Sequence, residues 1–421
     1  MKILMVNKFL HPNGGSETYI FQLGKYLESQ GHEVQYFGME HEGRCVGNSM
    51  NSYTSNMEFH QGKILTKLSY PLKTIYSQEA RTKLRMVLDD FMPDVVHLNN
   101  FNYQLTPSIL LETVRWRSGL ERKILSSNVK NVAEENKKRR TVRIIYTAHD
   151  YQLICPNHMC HNPNTHENCE KCLGGAGKFI HCFRGKCIHG SRLKSAVGMA
   201  EAMFWNWSGV YHYIDKIICC SEFMKSMLDR NPLFKDKTIA VHNFVDQCSK
   251  RRKSSDKKDY VLYFGRYSEE KGFDMVLKAA AELPEVRFVF AGKGSIKIAD
   301  LPNVTDIGFL SGDALDQLIS NARFVLVPSR WYEPFGLTVR EAQICGTPVI
   351  GARVGGIQEL IQDGKNGELF KCGDGEELKA KIKRLWDNDK LAEKYGRGCL
   401  ETEHMGIKEY YTELMAVYNG K

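Results

Sequence analysis

No stretch of this 421-residue chain reaches the roughly 18 consecutive apolar residues that a membrane-crossing helix needs. The opening MKILMVNKFLHPN has only a short apolar stretch and no small-residue cleavage site behind it, so it does not read as an export signal. Both absences lead to the expectation of a cytoplasmic chain, with at most peripheral contact at the inner face of the membrane. Disordered and fibrous classes are excluded by 42% hydrophobic and 25% charged residues. The length suffices for two cores of about 150 to 200 residues each. Thirteen cysteines would suggest a disulfide scaffold in a short secreted chain, but without an export signal a reduced state is expected.

Acidic residues are in deficit. The formal net charge is +9, and residues 61–145 hold 16 Lys and Arg against 8 Asp and Glu. A basic face on the first half fits anionic lipid headgroups, nucleic acid, an anionic acceptor or a merely solvated surface. Nucleic acid is the weakest of these, because the basic residues are not interleaved with aromatics and the cysteines lack the helix and histidine spacing of a groove-reading finger.

Short apolar runs rich in Val, Ile and Tyr alternate with longer stretches of helical period, the pattern of βαβ units. Strands are expected at 2–9, 34–38, 94–99, 143–150, 216–221 and 238–243, with crossover helices at 16–30 and 77–92. The polar, basic stretch 247–258 has nothing to bury and reads as a linker. Strands are then expected at 260–266, 287–292, 304–309, 324–329 and 347–353, and helix from Leu385 onward. The expected fold is α/β, two doubly wound domains facing a cleft at the carboxyl ends of their strands, where open sheets bind ligands.

The most informative segment is PSRWYEPFGLTVREAQICGTPVIGARVGGIQELI, residues 328–361. Glu333 and Glu341 straddle a strand-to-helix turn made by Pro334 and Gly336, and the following helix offers free N–H groups to a diphosphate. Glu341 is placed to accept hydrogen bonds from a ribose, and Glu333 from a transferred sugar. Two solvated glutamates on an ordinary turn and helix are the plain alternative. Upstream, YFGRYSEEKG places Arg266 and Lys271 after a strand ending in Gly265, where fixed cations suit a leaving diphosphate without a metal ion. In the first half, Gly14 and Gly15 fall between the first strand and helix, and His149 and Asp150 end the strand RIIYTAHD.

The segments NGG, GRYSEEKG, PSRWYEPFGLTVREA and GGIQELIQDGKNGELF resemble those of family 4 retaining glycosyltransferases of the GT-B type, over nearly the whole chain. The resemblance implies transfer of a hexose-type sugar from a UDP- or GDP-sugar to a saccharide or lipid-linked saccharide, with retention, in cell-surface polysaccharide or glycolipid assembly. It implies no metal for the transfer and no nucleic-acid partner. Glu341 would contact the ribose, Glu333, Phe335, Gly336 and Leu337 the sugar, and Arg266 and Lys271 the diphosphate. His149 would lie beside the sugar, and Gly14 and Gly15 would border acceptor and phosphate. Asn243 and Asp246 would mark the hinge, where Phe244 stands in place of the usual glycine. The implied division is an acceptor-side domain at 1–246, a donor domain at 259–400 and a helix at 401–421 returning to the first domain. A sugar-nucleotide epimerase of the same architecture is the alternative. A metal-dependent GT-A enzyme would need an Asp-x-Asp at a strand end, and Asp387 to Asp389 lies in a late helical stretch.

Six of the cysteines crowd into an insertion at 155–189, with Cys169-x2-Cys172 and Cys182-x4-Cys187 preceded by Cys155 and Cys160. Close pairs in Gly-containing polar surroundings suit a structural zinc, and reduced surface thiols or iron–sulfur use are the alternatives. Likeness to a cysteine-bearing subset of family 4 implies Cys155, Cys169, Cys172 and Cys187 as ligands, with Cys182 as the competitor.

Overall fold

The computed structural model describes residues 1–56, 73–126, 142–245 and 257–420. The expected linker falls almost wholly outside these residues, as do Asp246 and Lys63, Lys67, Lys130, Lys137, Lys138, Arg139 and Arg140 of the basic stretch.

Strands β1 (Lys2–Val6), β2 (Glu33–Phe37), β3 (Val95–Leu98) and β4 (Arg143–Ala148) are followed by a small hairpin, β5 (His161–Asn162) and β6 (Glu167–Asn168), and then by β7 (Lys216–Cys219) and β8 (Thr238–Ala240). The second half supplies β9 (Val261–Tyr267), β10 (Phe288–Gly294), β11 (Val304–Asp306), β12 (Phe324–Val327), β13 (Val349–Ala352) and β14 (Gly367–Phe370). Two six-stranded parallel sheets result, ordered β2-β1-β3-β4-β7-β8 and β11-β10-β9-β12-β13-β14. Their central strands are almost wholly buried, as parallel strands covered on both faces by helices must be. The strands are shorter than the apolar runs, so His149 and Asp150 fall just past β4 rather than inside it. Sequence reading missed β14.

The final helix, Ile407–Tyr418, returns to the first domain and packs on the helix Gly15–Ser29. Its buried contacts are polar as well as apolar. The hydroxyls of Tyr19 and Tyr410 lie 2.6 Å apart, and His97 places Nδ1 2.7 Å from the Tyr418 hydroxyl and Nε2 2.7 Å from Thr147 Oγ1. Burial pushes the His97 pKa down to about 3, so this ring is neutral and works as a hydrogen-bonding spacer. Phe244 packs between Tyr19 and Tyr410, so the aromatic that replaces the usual glycine is an anchor for this helix.

The two domains meet, among other places, at one helix end. Ser221 caps the helix Glu222–Leu228 by accepting from the Met224 N–H at 3.0 Å, and its hydroxyl donates across the cleft to the Pro334 carbonyl at 2.5 Å. Glu359 of the second domain receives the backbone N–H groups of Glu222 and Phe223 at 2.9 and 2.6 Å and lies 3.2 Å from His242 Nε2. A carboxylate against free helix N–H groups is electrostatically favourable. Although burial opposes ionisation, His242 and the two N–H groups hold the Glu359 pKa below its ordinary value. Glu359→Ala is expected to cost about 1 to 3 kcal/mol and to lower the melting temperature by a few degrees at neutral pH. The wild-type advantage should shrink as pH falls through the depressed pKa; an equal effect of the substitution at every pH would contradict this assignment.

Candidate active site

The cleft between the sheets holds about 1160 Å³ of solvent-open space. Its first-domain wall follows strand ends: Lys8 comes after β1, Asn100 after β3, His149 after β4, Cys220 after β7 and Asn243 after β8. Gly14, Gly15 and Glu17 add the start of the first helix. Opposite stand Arg266, Lys271, Trp331, Glu333, Pro334, Phe335, Gly336, Leu337 and Thr338. Residues more than 300 positions apart thus meet because both sheets present their carboxyl ends to one space.

Glu333 is only 8% exposed, yet it is held as an ion. Burial alone would raise its pKa, but the Lys271 ammonium, which forms an ion pair with Oε1, and the Ser329 hydroxyl, which donates to Oε1 at 2.7 Å, bring it below the ordinary value. Lys271 also sits over the Trp331 ring at 5.0 Å. The loop is fixed from beneath. Gly355 has φ +56, and a side chain there would meet the Glu333 nitrogen at 2.6 Å and carbonyl oxygen at 2.4 Å, while the Gly356 N–H donates to the Glu333 carbonyl at 2.8 Å.

Arg266 differs from Lys271. Its side chain is 67% exposed and its one ion-pair contact, with Glu270, is 3.4 Å long, so its guanidinium is free to turn into the cleft. Across the cleft, His149 Nε2 lies 2.9 Å from Asn99 Oδ1. An amide oxygen only accepts, so Nε2 carries the proton and Nδ1 is left as a lone pair. Burial lowers the pKa to about 4, keeping this tautomer neutral. The side-chain oxygens of Asn100 and Asn243, two residues of the cleft wall, are buried and have no hydrogen-bond partner among the described residues. A side chain at Gly15 would meet Leu337 Cδ1 at 2.9 Å, so the glycine allows the two walls to approach.

The structure brings Gly14, Gly15, His149, Arg266, Lys271, Glu333, Phe335, Gly336 and Leu337 to one cleft. Gly265 and Glu341 are not in its lining. Gly265 lies in β9, where its carbonyl occupies the space that a side chain on neighbouring Gly292 would need. Glu341 lies in the second turn of the helix Leu337–Ile344 near Asp316. Although the residue keeps some exposure, the protein around its carboxyl, with a smaller contribution from Asp316, raises the pKa to about 7. Lys8, Glu17, Asn100 and Trp331 were not singled out from sequence; the pair Asn99-Asn100 after β3 was the available signal.

Among the described residues, no group of three or more His, Cys, Asp or Glu side chains is arranged to hold a metal ion. Cys160 hydrogen-bonds Cys155, and Cys182 hydrogen-bonds Cys187. Cys172 and Cys182 sit in an apolar cluster with Phe179 and Ala202; burial raises the Cys172 thiol, and the Cys187 hydrogen bond together with burial raises that of Cys182. The module reaches the second domain, with Asn168 Nδ2 donating to the Arg330 carbonyl at 2.8 Å and the Tyr332 hydroxyl donating to Glu170 at 2.8 Å.

Two parallel sheets facing a cleft of this composition define a class. The family description "Glycosyltransferase Family 4" matches residues 13–112, and "Glycosyl transferases group 1" matches residues 246–399. An uncharacterized glycosyltransferase of Methanocaldococcus jannaschii is 32% identical over 216 residues, spanning 48% of this chain and 60% of that protein. A 42.6 kDa protein of the Klebsiella pneumoniae cps region is 22% identical over 86% of this chain and 87% of its own length. Anabaena HepE, solved with UDP and glucose, superimposes with a TM-score of 0.65 at 15% identity over the whole of both chains. Sucrose-phosphate synthase of Thermosynechococcus elongatus gives 0.65 at 17% identity, covering 99% of this chain and 98% of that one. At these identities the structural likeness establishes the fold alone. The chain has the GT-B fold, and its matches are to a family 4 glycosyltransferase domain in the first half and a group 1 glycosyltransferase domain in the second. Neither the epimerase nor the nucleic-acid reading finds support among these relatives.

Lys271→Met should strand the Glu333 carboxylate in its buried position, at a cost of about 3 kcal/mol at neutral pH. Without the Lys271 charge, the Ser329 hydroxyl is left to oppose burial, so the Glu333 pKa rises and the stability the wild type keeps toward neutral pH shrinks in the variant. Melting temperatures between about pH 5 and 8 check this; parallel wild-type and variant curves would show that the ion pair does not hold Glu333 charged.

Proposed function

We propose that the protein transfers a hexose-type sugar from a nucleoside-diphosphate donor to a hydroxyl of a saccharide or lipid-linked saccharide, with retention of anomeric configuration. The observation that carries this reading is the joint placement of a fixed carboxylate, Glu333, and two cations, Arg266 and Lys271, opposite the Gly14-Gly15 loop and neutral His149. The family 4 and group 1 matches support it, as does the likeness to proteins solved with UDP and UDP-glucose.

In this reading the diphosphate lies between the amino end of the helix Leu337–Ile344 and the two cations, which stabilise its charge as the bond from the anomeric carbon to phosphate oxygen breaks. The acceptor oxygen bonds the same face of the sugar, and its proton passes to the departing phosphate oxygen. Glu333 orients sugar hydroxyls as an acceptor, and His149 Nδ1 accepts from another. A direct displacement with inversion would need a base in the first domain. His149 is too weak for that with a pKa near 4. The Asp150 pKa is depressed, because His158, Lys8 and the Gln152 N–H outweigh its burial. NMR of the first-formed product tests the stereochemistry, and an inverted anomeric centre would overturn the retaining route.

Glu341 gives this reading a pH signature. The proposed ribose contact needs the ionised carboxylate, whereas the free protein holds its proton up to about pH 7. Donor binding should therefore release a proton below that pH, and affinity should fall by up to about tenfold per pH unit toward acid. The linkage disappears in Glu341→Gln, which should also bind more weakly at pH 8. UDP-glucose is a suitable titrant, because its diphosphate is fully ionised throughout. A wild-type affinity flat from about pH 5 to 8 would remove Glu341 from the donor site.

A further inference from the structure

The helix Arg192–Trp207 has one buried face, carrying Ser195, Gly198, Glu201, Ala202, Trp205 and Asn206. The opposite face carries Leu193, Val197, Ala200, Phe204 and Trp207, spaced by four, three, four and three residues and so aligned in one stripe. It is an apolar stripe facing water: Leu193, Phe204 and Trp207 are 75%, 48% and 68% exposed. Phe183, on the short helix Ile180–Arg184 that packs against this one, and Tyr213, just beyond its end, are exposed too. Five of the eleven large exposed apolar side chains among the described residues thus fall within 183–213, a concentration that scattered surface hydrophobes do not show.

The charged residues of the segment 171–200 have one sign. Lys171, Lys178, Arg184, Lys186, Arg192 and Lys194 are all exposed, and no Asp or Glu occurs from 171 to 200. The only acidic residue of the helix, Glu201, is on the buried face, where burial raises its pKa to about 8 and leaves it uncharged at neutral pH. Trp, Phe and Tyr beside Lys and Arg make a surface suited to the boundary between lipid headgroups and acyl chains. A second copy of the chain is a poor occupant, because pairing two such faces would oppose cations with cations.

We propose that this face, centred on Leu193, Phe204 and Trp207 and flanked by Arg192 and Lys194, docks the first domain onto an anionic lipid bilayer. Docking would bring the cleft to a lipid-linked acceptor; that consequence, though not the docking, rests on the function proposed above. The test is co-sedimentation with vesicles of phosphatidylcholine alone or mixed with phosphatidylglycerol, using the full chain, the double variant Phe204→Ser with Trp207→Ser, and the double variant Arg192→Glu with Lys194→Glu. The wild type should partition onto the mixed vesicles, more weakly at high salt or onto phosphatidylcholine alone, and each double variant should lower the partition coefficient at least about tenfold. All substituted residues are exposed, so melting temperature and the thermal shift produced by UDP should be unchanged, which separates failure of docking from failure of the donor site. Wild-type partitioning indifferent to phosphatidylglycerol, or variants that bind like the wild type, would overturn the proposal. So would a dimer in sedimentation velocity that the Phe204 and Trp207 substitutions dissolve, since the face would then belong to a second copy.

Discussion

A carboxylate almost shut off from water stays charged only while a cation lies against it, and the pair Lys271 and Glu333 meets that condition at the cleft. Much of the neighbouring sequence serves to keep the two together. Gly272, with φ +71, lets the chain turn beside the Pro328 carbonyl just after Lys271, and a side chain there would lie 2.0 Å from that oxygen. Ser329 supplies a donor to the same carboxylate oxygen, and Gly355 and Gly356 let a second loop support the Glu333 backbone. The result is a carboxylate already ionised and fixed in orientation within the cleft.

The opposite wall is held by polar contacts together with aromatic ones, Phe223 against Tyr332 and His242 against Phe335. Ser221 and Glu359 join the domains at the start of one helix, where unsatisfied N–H groups would otherwise face the cleft. The cysteine module makes a second set of contacts through Asn168 and Glu170 to Arg330 and Tyr332, which flank Trp331. The third tie, the helix Ile407–Tyr418, is different. Its tyrosines are buried in the first domain, so it works as a permanent anchor.

What could be read from the sequence follows from how local each signal is. Buried parallel strands are nearly continuous apolar runs, and both sheets were visible for that reason. β14 was not, because its four residues begin with Gly367 and include Glu368, a carboxylate kept in the interior by Arg384 and Tyr395, partners that no local pattern reveals. The turn from Glu333 to Leu337 was legible from its proline, glycine and flanking strand. Lys8, Glu17 and Asn100 join the site only through the fold. The cysteine spacing reports which thiols are near in sequence, while the burial of Cys172 and Cys182 with Phe179 is a product of the fold.

Three buried carboxylates show why burial by itself identifies no role. Glu333, Glu341 and Glu201 all pay desolvation, and in the last two it raises the pKa, to about 7 and about 8. Glu201 faces the interior beneath an apolar stripe, with one oxygen that has no partner among the described residues, so keeping its proton leaves its helix without negative charge. Glu341 retains some exposure on the helix that begins at the cleft, so its carboxyl can still exchange its proton with water. Glu333 has its compensation built in. The sequence of decisions is therefore geometric before it is electrostatic: a cation within contact fixes the charge, partial exposure leaves it to the pH, and enclosure without either removes it.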